Sequence, residues 1–284
     1  MSHYLNNNKE RDLSIDVIKA FATILVIAGH VIQYTNVDFD HSIFFKIIYS
    51  FHMPLFMFIS GYLMPETINN SFLRIKFKQL VIPFTLWSAL LIALNNPELI
   101  KNADSYQFLD RLYKLFLQPD DGGLWFLWVL FLNFLVFTLL RGRYQITLSV
   151  VIIISLIILQ FINHDFALFG LGLFRWHYFF FVFGFLAHNN NILKKLKINK
   201  WINILSVDSL GYYATQFIFL GGATLFWSLK DLNSYLDQLY IFILIITFCT
   251  LIIQIINRYS FTRQYLLGKV GNKKLVQIHN DYGD

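Results

Sequence analysis

Apolar residues in this chain fall into eight long runs, at 13–35, 43–63, 77–95, 124–141, 145–162, 167–187, 206–228 and 237–257, parted by short polar segments. A helix needs about 20 apolar residues to cross a hydrocarbon core of about 30 Å, and each run is near that length. In lipid the backbone must satisfy its own hydrogen bonds, which leaves α-helices for runs without strand-like alternation. The pattern predicts an all-α, polytopic integral membrane bundle of about eight transmembrane helices. No Gly/Ser-rich or Pro-rich linker and no internal repeat divides it, so residues 1–284 read as a single transmembrane domain. Between the third and fourth runs lies a longer polar segment, 96–123. Its stretch from Phe108 to Leu117 places apolar residues at helical spacing, which predicts an interfacial helix on the membrane surface. Asp120-Asp121-Gly122-Gly123 then makes a turn into the fourth run.

Charge orients this bundle. Lys9 and Arg11, then Arg74, Lys76 and Lys78, then Arg141 and Arg143, then Lys194 to Lys200, then Arg258 to Lys274 occupy alternate connections. The opposite set holds Asp38, Asp40, Asp165, Lys230, Asp231 and Asp237. Basic loops stay on the cytoplasmic side, so both termini are expected there, with the 96–123 loop outside. The same clustering explains the net charge of +6 without a nucleic-acid partner. With 56% hydrophobic residues and a mean hydropathy of +0.53, the chain has too little polar surface for a soluble domain of its length. Cys249 is the only cysteine, which excludes an internal disulfide or Cys-based metal site. The run beginning at Leu13 is too long for the core of a secretory signal and is read as a span.

Inside the first run, Lys19 and His30 stand eleven residues apart. On a helix that is about three turns, so the two share a face at a separation of about 16 Å. Ionisable groups are costly in a membrane interior and are functional by default. His30 is the leading catalytic candidate, because a neutral imidazole accepts a proton from a hydroxyl near neutral pH. A structural histidine bonded to a neighbouring helix is the alternative. Lys19 fits an anion at the cytoplasmic mouth, although topology alone also explains it; Asp16, one turn earlier, is placed to pair with it. The second run brings His52 to the depth of His30, with Pro54 expected to kink the helix and Ser60-Gly61 to permit close packing. Arg74, Lys76 and Lys78 add three cations beside Lys19, again with topology as the competing account. Arg175 and His177 lie deep in the sixth run; an arginine there needs an interior partner or a water-filled cavity, so Arg175 is expected to face the site. Asp208 reads as a helix cap and Gln216 as an interhelical hydrogen bond. There is no Gly-rich phosphate loop, His-Glu-x-x-His motif or GxSxG elbow, and the eight histidines lack metal-ligand spacing, so no metal is expected.

These residues together resemble the membrane acyltransferase-3 family of bacterial glycan O-acyltransferases. The resemblance rests on Lys19 with ten intervening positions before His30, and on Phe51-His52-Met53-Pro54-Leu55-Phe56 followed by Ser60-Gly61-Tyr62. It extends to the basic run ending in Pro83-Phe84, to Trp125-Phe126-Leu127 and to Tyr178-Phe179 through Gly184, covering about Arg11 to Gly184. The chain departs from the family's common ten spans: two helices are missing between residues 188 and 206, and Gln216 stands where many members have histidine. The resemblance implies a bacterial plasma-membrane enzyme whose donor substrate is acyl-CoA, in the first instance acetyl-CoA. The donor's phosphates would lie near Lys19, Arg74, Lys76 and Lys78. His30 would act as general base on a hydroxyl of a surface glycan or lipid-linked sugar, with Arg175 or His52 steadying the oxyanion. The competing class is a transporter or flippase component for a polysaccharide or lipid-linked sugar, since intramembrane charges also line transport paths. That class is favoured by inverted repeats, which the sequence lacks. A third reading, an inactive assembly partner, is motivated by the missing helices.

Overall fold

The computed structural model describes residues 13–65, 67–68, 71–119, 123–140, 168–188, 200–226 and 234–269, with isolated positions between 151 and 161. The described residues form helices and connecting turns, with no strand among them. In chain order they are α1 (Leu13–Thr35), α2 (Ile43–Tyr62), α3 (Phe72–Lys76), a π-helical stretch (Phe77–Val81), α4 (Ile82–Asn95), α5 (Pro97–Lys101), α6 (Ser105–Leu117) and α7 (Trp125–Thr138). They continue as α8 (Leu171–His188), α9 (Lys200–Val207), α10 (Ser209–Phe226), α11 (Tyr235–Arg258) and α12 (Ser260–Leu266). Five segments are long and apolar enough to cross a membrane: Ser14–Thr35, Ile43–Tyr62, Phe72–Asn95, Leu168–His188 and Tyr235–Arg258.

That is fewer than the eight expected, for identifiable reasons. α7 is apolar but has 14 residues, which at 1.5 Å each span about 21 Å rather than 30 Å. α10 covers most of the 206–228 run in 18 residues. The 145–162 run lies outside the described residues apart from isolated positions. Only residues 189–199 separate α8 from α9, too few for even one crossing of about 20 residues.

Local chemistry explains the element ends. Ser42 caps α2 by accepting from Phe45 N at 3.4 Å, and Ser234 caps α11 by accepting from Asp237 N at 3.1 Å. The third span changes register just before Pro83. A proline has no N–H to return to the preceding turn and its ring displaces the carbonyl there, and the π-helical stretch lies immediately upstream. α8 starts after Phe169 and Gly170, both at positive φ (54° and 71°), with the Phe169 carbonyl accepting from Trp128 Nε1 at 3.0 Å. Some hydroxyls inside the bundle are satisfied within their own helices: Thr23 donates to the Lys19 carbonyl at 2.9 Å and Thr215 to that of Gly211 at 2.7 Å.

The expected amphipathic helix of the 96–123 loop is α6. Asp104 caps it by accepting from Gln107 N at 3.0 Å, and Phe116 packs on Phe84 of α4 with ring centroids 5.2 Å apart. Tyr106, Leu109 and Tyr113, spaced to share a stripe, stay 81%, 61% and 61% exposed.

The tightest helix pair is α2 with α8. A Cβ at Gly61 would collide with the Phe181 carbonyl, and one at Gly184 with the Phe58 carbonyl, so each glycine admits the other helix's backbone. The Ser60-Gly61 expectation is therefore met, with Gly184 as its partner. α7 runs parallel to α8, pairing Trp125 with His177 at one end and Phe137 with Phe185 at the other, at ring separations of 5.1 and 5.0 Å. Gly184→Ala is expected to destabilise the protein by about 1–3 kcal/mol, the usual cost of overpacking, because the collision is with backbone. Thermal unfolding in detergent measures it, and an unchanged transition temperature would contradict the close approach.

Candidate active site

The site lies where α1, α2, α7 and α10 surround a cavity of about 190 Å³. Its wall includes Lys19 and Val26 of α1, Met53 and Ser60 of α2, Phe126 of α7, and Ser209 and Tyr213 of α10. By position along their helices, Lys19, Ser60 and Ser209 stand toward one end of this lining, and Val26, Met53, Phe126 and Tyr213 toward the other. About one helical turn or less beyond the latter group, the same helices carry His30, His52, Trp125 and Gln216. The cavity therefore points from a cation toward a layer of imidazoles, with apolar wall between.

At the imidazole layer, His30 packs on Phe217 with ring centroids 4.9 Å apart, and Tyr49 stands between His30 and His52 at 6.4 and 4.7 Å. The Gln216 side chain, fully buried, faces His30. His30 Nδ1 and Gln216 Oε1 are both buried without a hydrogen-bond partner among the described residues, while Gln216 Nε2 donates to the Tyr213 carbonyl at 3.0 Å. Buried polar atoms left open on two facing side chains mark a place suited to polar chemistry.

His52 is buried, and its Nδ1 lies 2.7 Å from the Ile48 carbonyl. His177 repeats the arrangement on α8, with Nδ1 2.7 Å from the Leu173 carbonyl, and stands near enough to His52 for charges on the two rings to interact. A carbonyl only accepts, so each Nδ1 carries the proton and each neutral ring offers Nε2 as an acceptor. Tyr213 closes the layer by donating its hydroxyl to the Gly123 carbonyl at 2.6 Å.

His177 is seven residues before Gly184 and shares its packed face, whereas Arg175 is nine residues before and about half a turn round. Half-buried Arg175 thus belongs to the side carrying Trp176 and Phe179, which are 57% and 50% exposed. Of the two, His177 is the residue that joins His52. The spacing to Gly184 was the signal that could have chosen between them.

At the other end, Lys19 is half-buried on the cavity wall and close enough to Lys76 for their charges to interact. The Lys76 ammonium sits over the Phe134 ring at 4.4 Å and the Phe72 ring at 5.5 Å, so it is fixed by aromatic faces. Lys78 is half-buried and Arg74 exposed. Asp16 accepts from Ser206 at 2.5 Å, tying α1 to α9. Asp208 starts α10 through its backbone, accepting from Tyr212 N at 3.0 Å, but its carboxylate pairs with Lys269 instead of capping the helix. Among the described residues, no three His, Cys, Asp or Glu side chains gather as a metal site.

A family model described as an acyltransferase domain, acyltransferase 3, matches residues 12–267. The chain is also similar to nodulation protein NolL of Sinorhizobium fredii, 37% identical over 186 residues that make up 62% of this chain and 48% of that protein. It is similar as well to nodulation protein NolL of Mesorhizobium japonicum, 34% identical over 149 residues, 50% of this chain and 39% of that protein. The chain thus spans about half the length, or less, of these curated relatives. No solved structure matches.

The ring geometry makes a spectroscopic prediction. In ¹⁵N-histidine spectra of the protein in lipid, His52 and His177, assigned by single substitution to Gln, are expected as neutral Nδ1–H tautomers with bare Nε2. An Nε2–H signal from either ring would contradict the carbonyl contact at that residue.

Proposed function

The chain belongs to the acyltransferase-3 family, and from that premise we propose that it is a bacterial plasma-membrane O-acyltransferase. It transfers an acyl group, acetyl by preference, from acyl-CoA to a hydroxyl of a cell-surface polysaccharide or lipid-linked sugar. The observation that carries this reading is the cavity between Lys19 and the His30 layer. Its lining is mostly apolar and includes Lys19; His30 and Gln216, with buried open polar atoms, lie about one helical turn beyond Val26 and Tyr213 on the same helices. A long thin thioester with an anionic head suits that shape. The charge pattern of the loops supports an orientation with both termini and the Lys19 end on the cytoplasmic side, where acyl-CoA is made.

In this mechanism Lys19 and Lys76 hold phosphate, with Lys78 and Arg74 nearer solvent. His30 accepts the proton of the acceptor hydroxyl as that oxygen bonds to the thioester carbonyl carbon. The carbonyl oxygen takes the negative charge, the C–S bond then breaks, and the sulfur leaves with the proton from His30. Gln216, whose side chain faces His30, is placed to orient the ring, the role that a third group plays beside a catalytic base. His52 spends its neutral-state proton on Ile48, so its Nε2 is better suited to receive an acceptor hydroxyl than to steady an oxyanion. His177 offers the same, with Trp125 beside it as an apolar platform.

Purified protein with acetyl-CoA and surface glycan from a deletion strain tests the reading by CoA release and by mass spectrometry of the glycan. Glycan-dependent CoA release is expected, and flux of glycan without acyl turnover would favour transport instead. His30→Ala should lower turnover by about 10²–10⁴, the usual range for a general base. Lys19→Met should raise KM for acetyl-CoA several-fold with a smaller effect on kcat, as expected when ground-state and transition-state binding are lost together. Wild-type glycan acylation by His30→Ala at matched expression would remove His30 from the mechanism.

A further inference from the structure

The segment that follows α12 takes no part in the chemistry above, yet it grips the cavity from two sides. The Leu266 carbonyl accepts from Trp87 Nε1 of α4 at 2.8 Å. Gly268 has φ +63°, and a Cβ there would collide with the Gln79 carbonyl in the π-helical stretch. Leu267 is buried, lying against Gly211 of α10. Lys269 forms an ion pair with Asp208, whose side chain is 4% exposed, and donates to Asn257 Oδ1 of α11 at 3.0 Å. Asn257 in turn reaches the same carboxylate, its Nδ2 lying 3.5 Å from Asp208 Oδ1.

The points held are adjacent in sequence to the cavity wall. Gln79 precedes Leu80, and Asp208 precedes Ser209 and Leu210; Leu80, Ser209 and Leu210 all line the cavity. The strap Leu266–Lys269 therefore joins the wall contributed by the third span to the wall contributed by the start of α10. A left-handed glycine and an ion pair on a buried carboxylate are both demanding devices. Residues other than glycine rarely adopt that φ, and removing one partner of a buried pair leaves the other charge uncompensated. Their place beside the cation end, away from the imidazoles, points to the donor.

We propose that Lys269 is a positioning residue which, through Asp208 and the strap, sets the width of the cavity mouth for the donor acyl-CoA. The inference rests on the acyl-CoA reading and names the element that tunes it. Lys269 does not touch the donor; it holds Ser209 and Leu210 at a fixed distance from Leu80. A purely structural strap would lower the unfolding temperature of the variant and leave the donor affinity of the folded protein unchanged.

The test is acetyl-CoA binding to the full chain in detergent by titration calorimetry, with unfolding temperature followed in parallel. Lys269→Met is expected to weaken acetyl-CoA binding by about tenfold, a shift well within reach of direct titration. Lys269→Arg, which keeps the charge, should recover most of the affinity. In turnover, Lys269→Met should raise KM for acetyl-CoA while kcat at saturating donor stays within about twofold, the signature of lost binding rather than lost chemistry. Folded Lys269→Met with wild-type affinity overturns the proposal. If that variant does not fold, Asn257→Leu, which weakens the same cluster but keeps the ion pair, is judged by the same criterion. Wild-type protein that fails to bind acetyl-CoA would instead overturn the donor reading itself, so the two failures are distinguishable.

Discussion

The close approach of α2 and α8 governs the position of nearly every group assigned a role here. Lipid gives apolar helices no hydrophobic reason to associate, so their packing depends on contact at short range. Gly61 and Gly184 provide it reciprocally, each receiving a backbone carbonyl of the other helix. With α2 fixed on α8, His52 and His177 come within electrostatic reach, and Trp125 of the parallel α7 lies against His177. α1 then adds His30 through Tyr49, and α10 adds Gln216 and Phe217. A side chain at either glycine would separate the scaffold on which the imidazole layer is assembled.

Polar groups in this bundle are segregated by depth. Cations occupy one end, imidazoles and an amide the other, and mostly apolar side chains line the interval of about 16 Å between Lys19 and His30. That division suits a molecule with an anionic head and a reactive group at the end of a thin arm. It also keeps desolvation manageable, since Lys76 rests on aromatic faces while the histidines use backbone carbonyls one turn back. His30 and Gln216 depart from this economy, with buried polar atoms left open. They are the place where the fold tolerates an energetic cost, which is why the chemistry is assigned there.

The third span shows how one residue can shape a site at a distance. Pro83 cannot complete the preceding turn, the chain widens into a π-helical register, and that stretch presents the Gln79 carbonyl to Gly268 and Leu80 to the cavity. The C-terminal strap thereby couples a local backbone irregularity to the mouth of the cavity.

Much of this was legible in the residues alone. Length and apolarity gave the helical membrane class, and the boundaries of α1 and α2 followed from the hydrophobic runs. α6 followed from helical spacing, and the Lys19–His30 alignment from counting turns. These properties are local, set by the 1.5 Å rise and by transfer of side chains into lipid. The tertiary structure alone decided which polar groups meet. It placed His177 rather than Arg175 beside His52, sent Asp16 to Ser206, drew Asp208 to Lys269 from 61 positions away, and left His30 facing Gln216. Such pairings depend on helix rotation and on contacts between residues remote in sequence. Hydropathy fixes the depth of a residue in the membrane but says little about the neighbour it faces there.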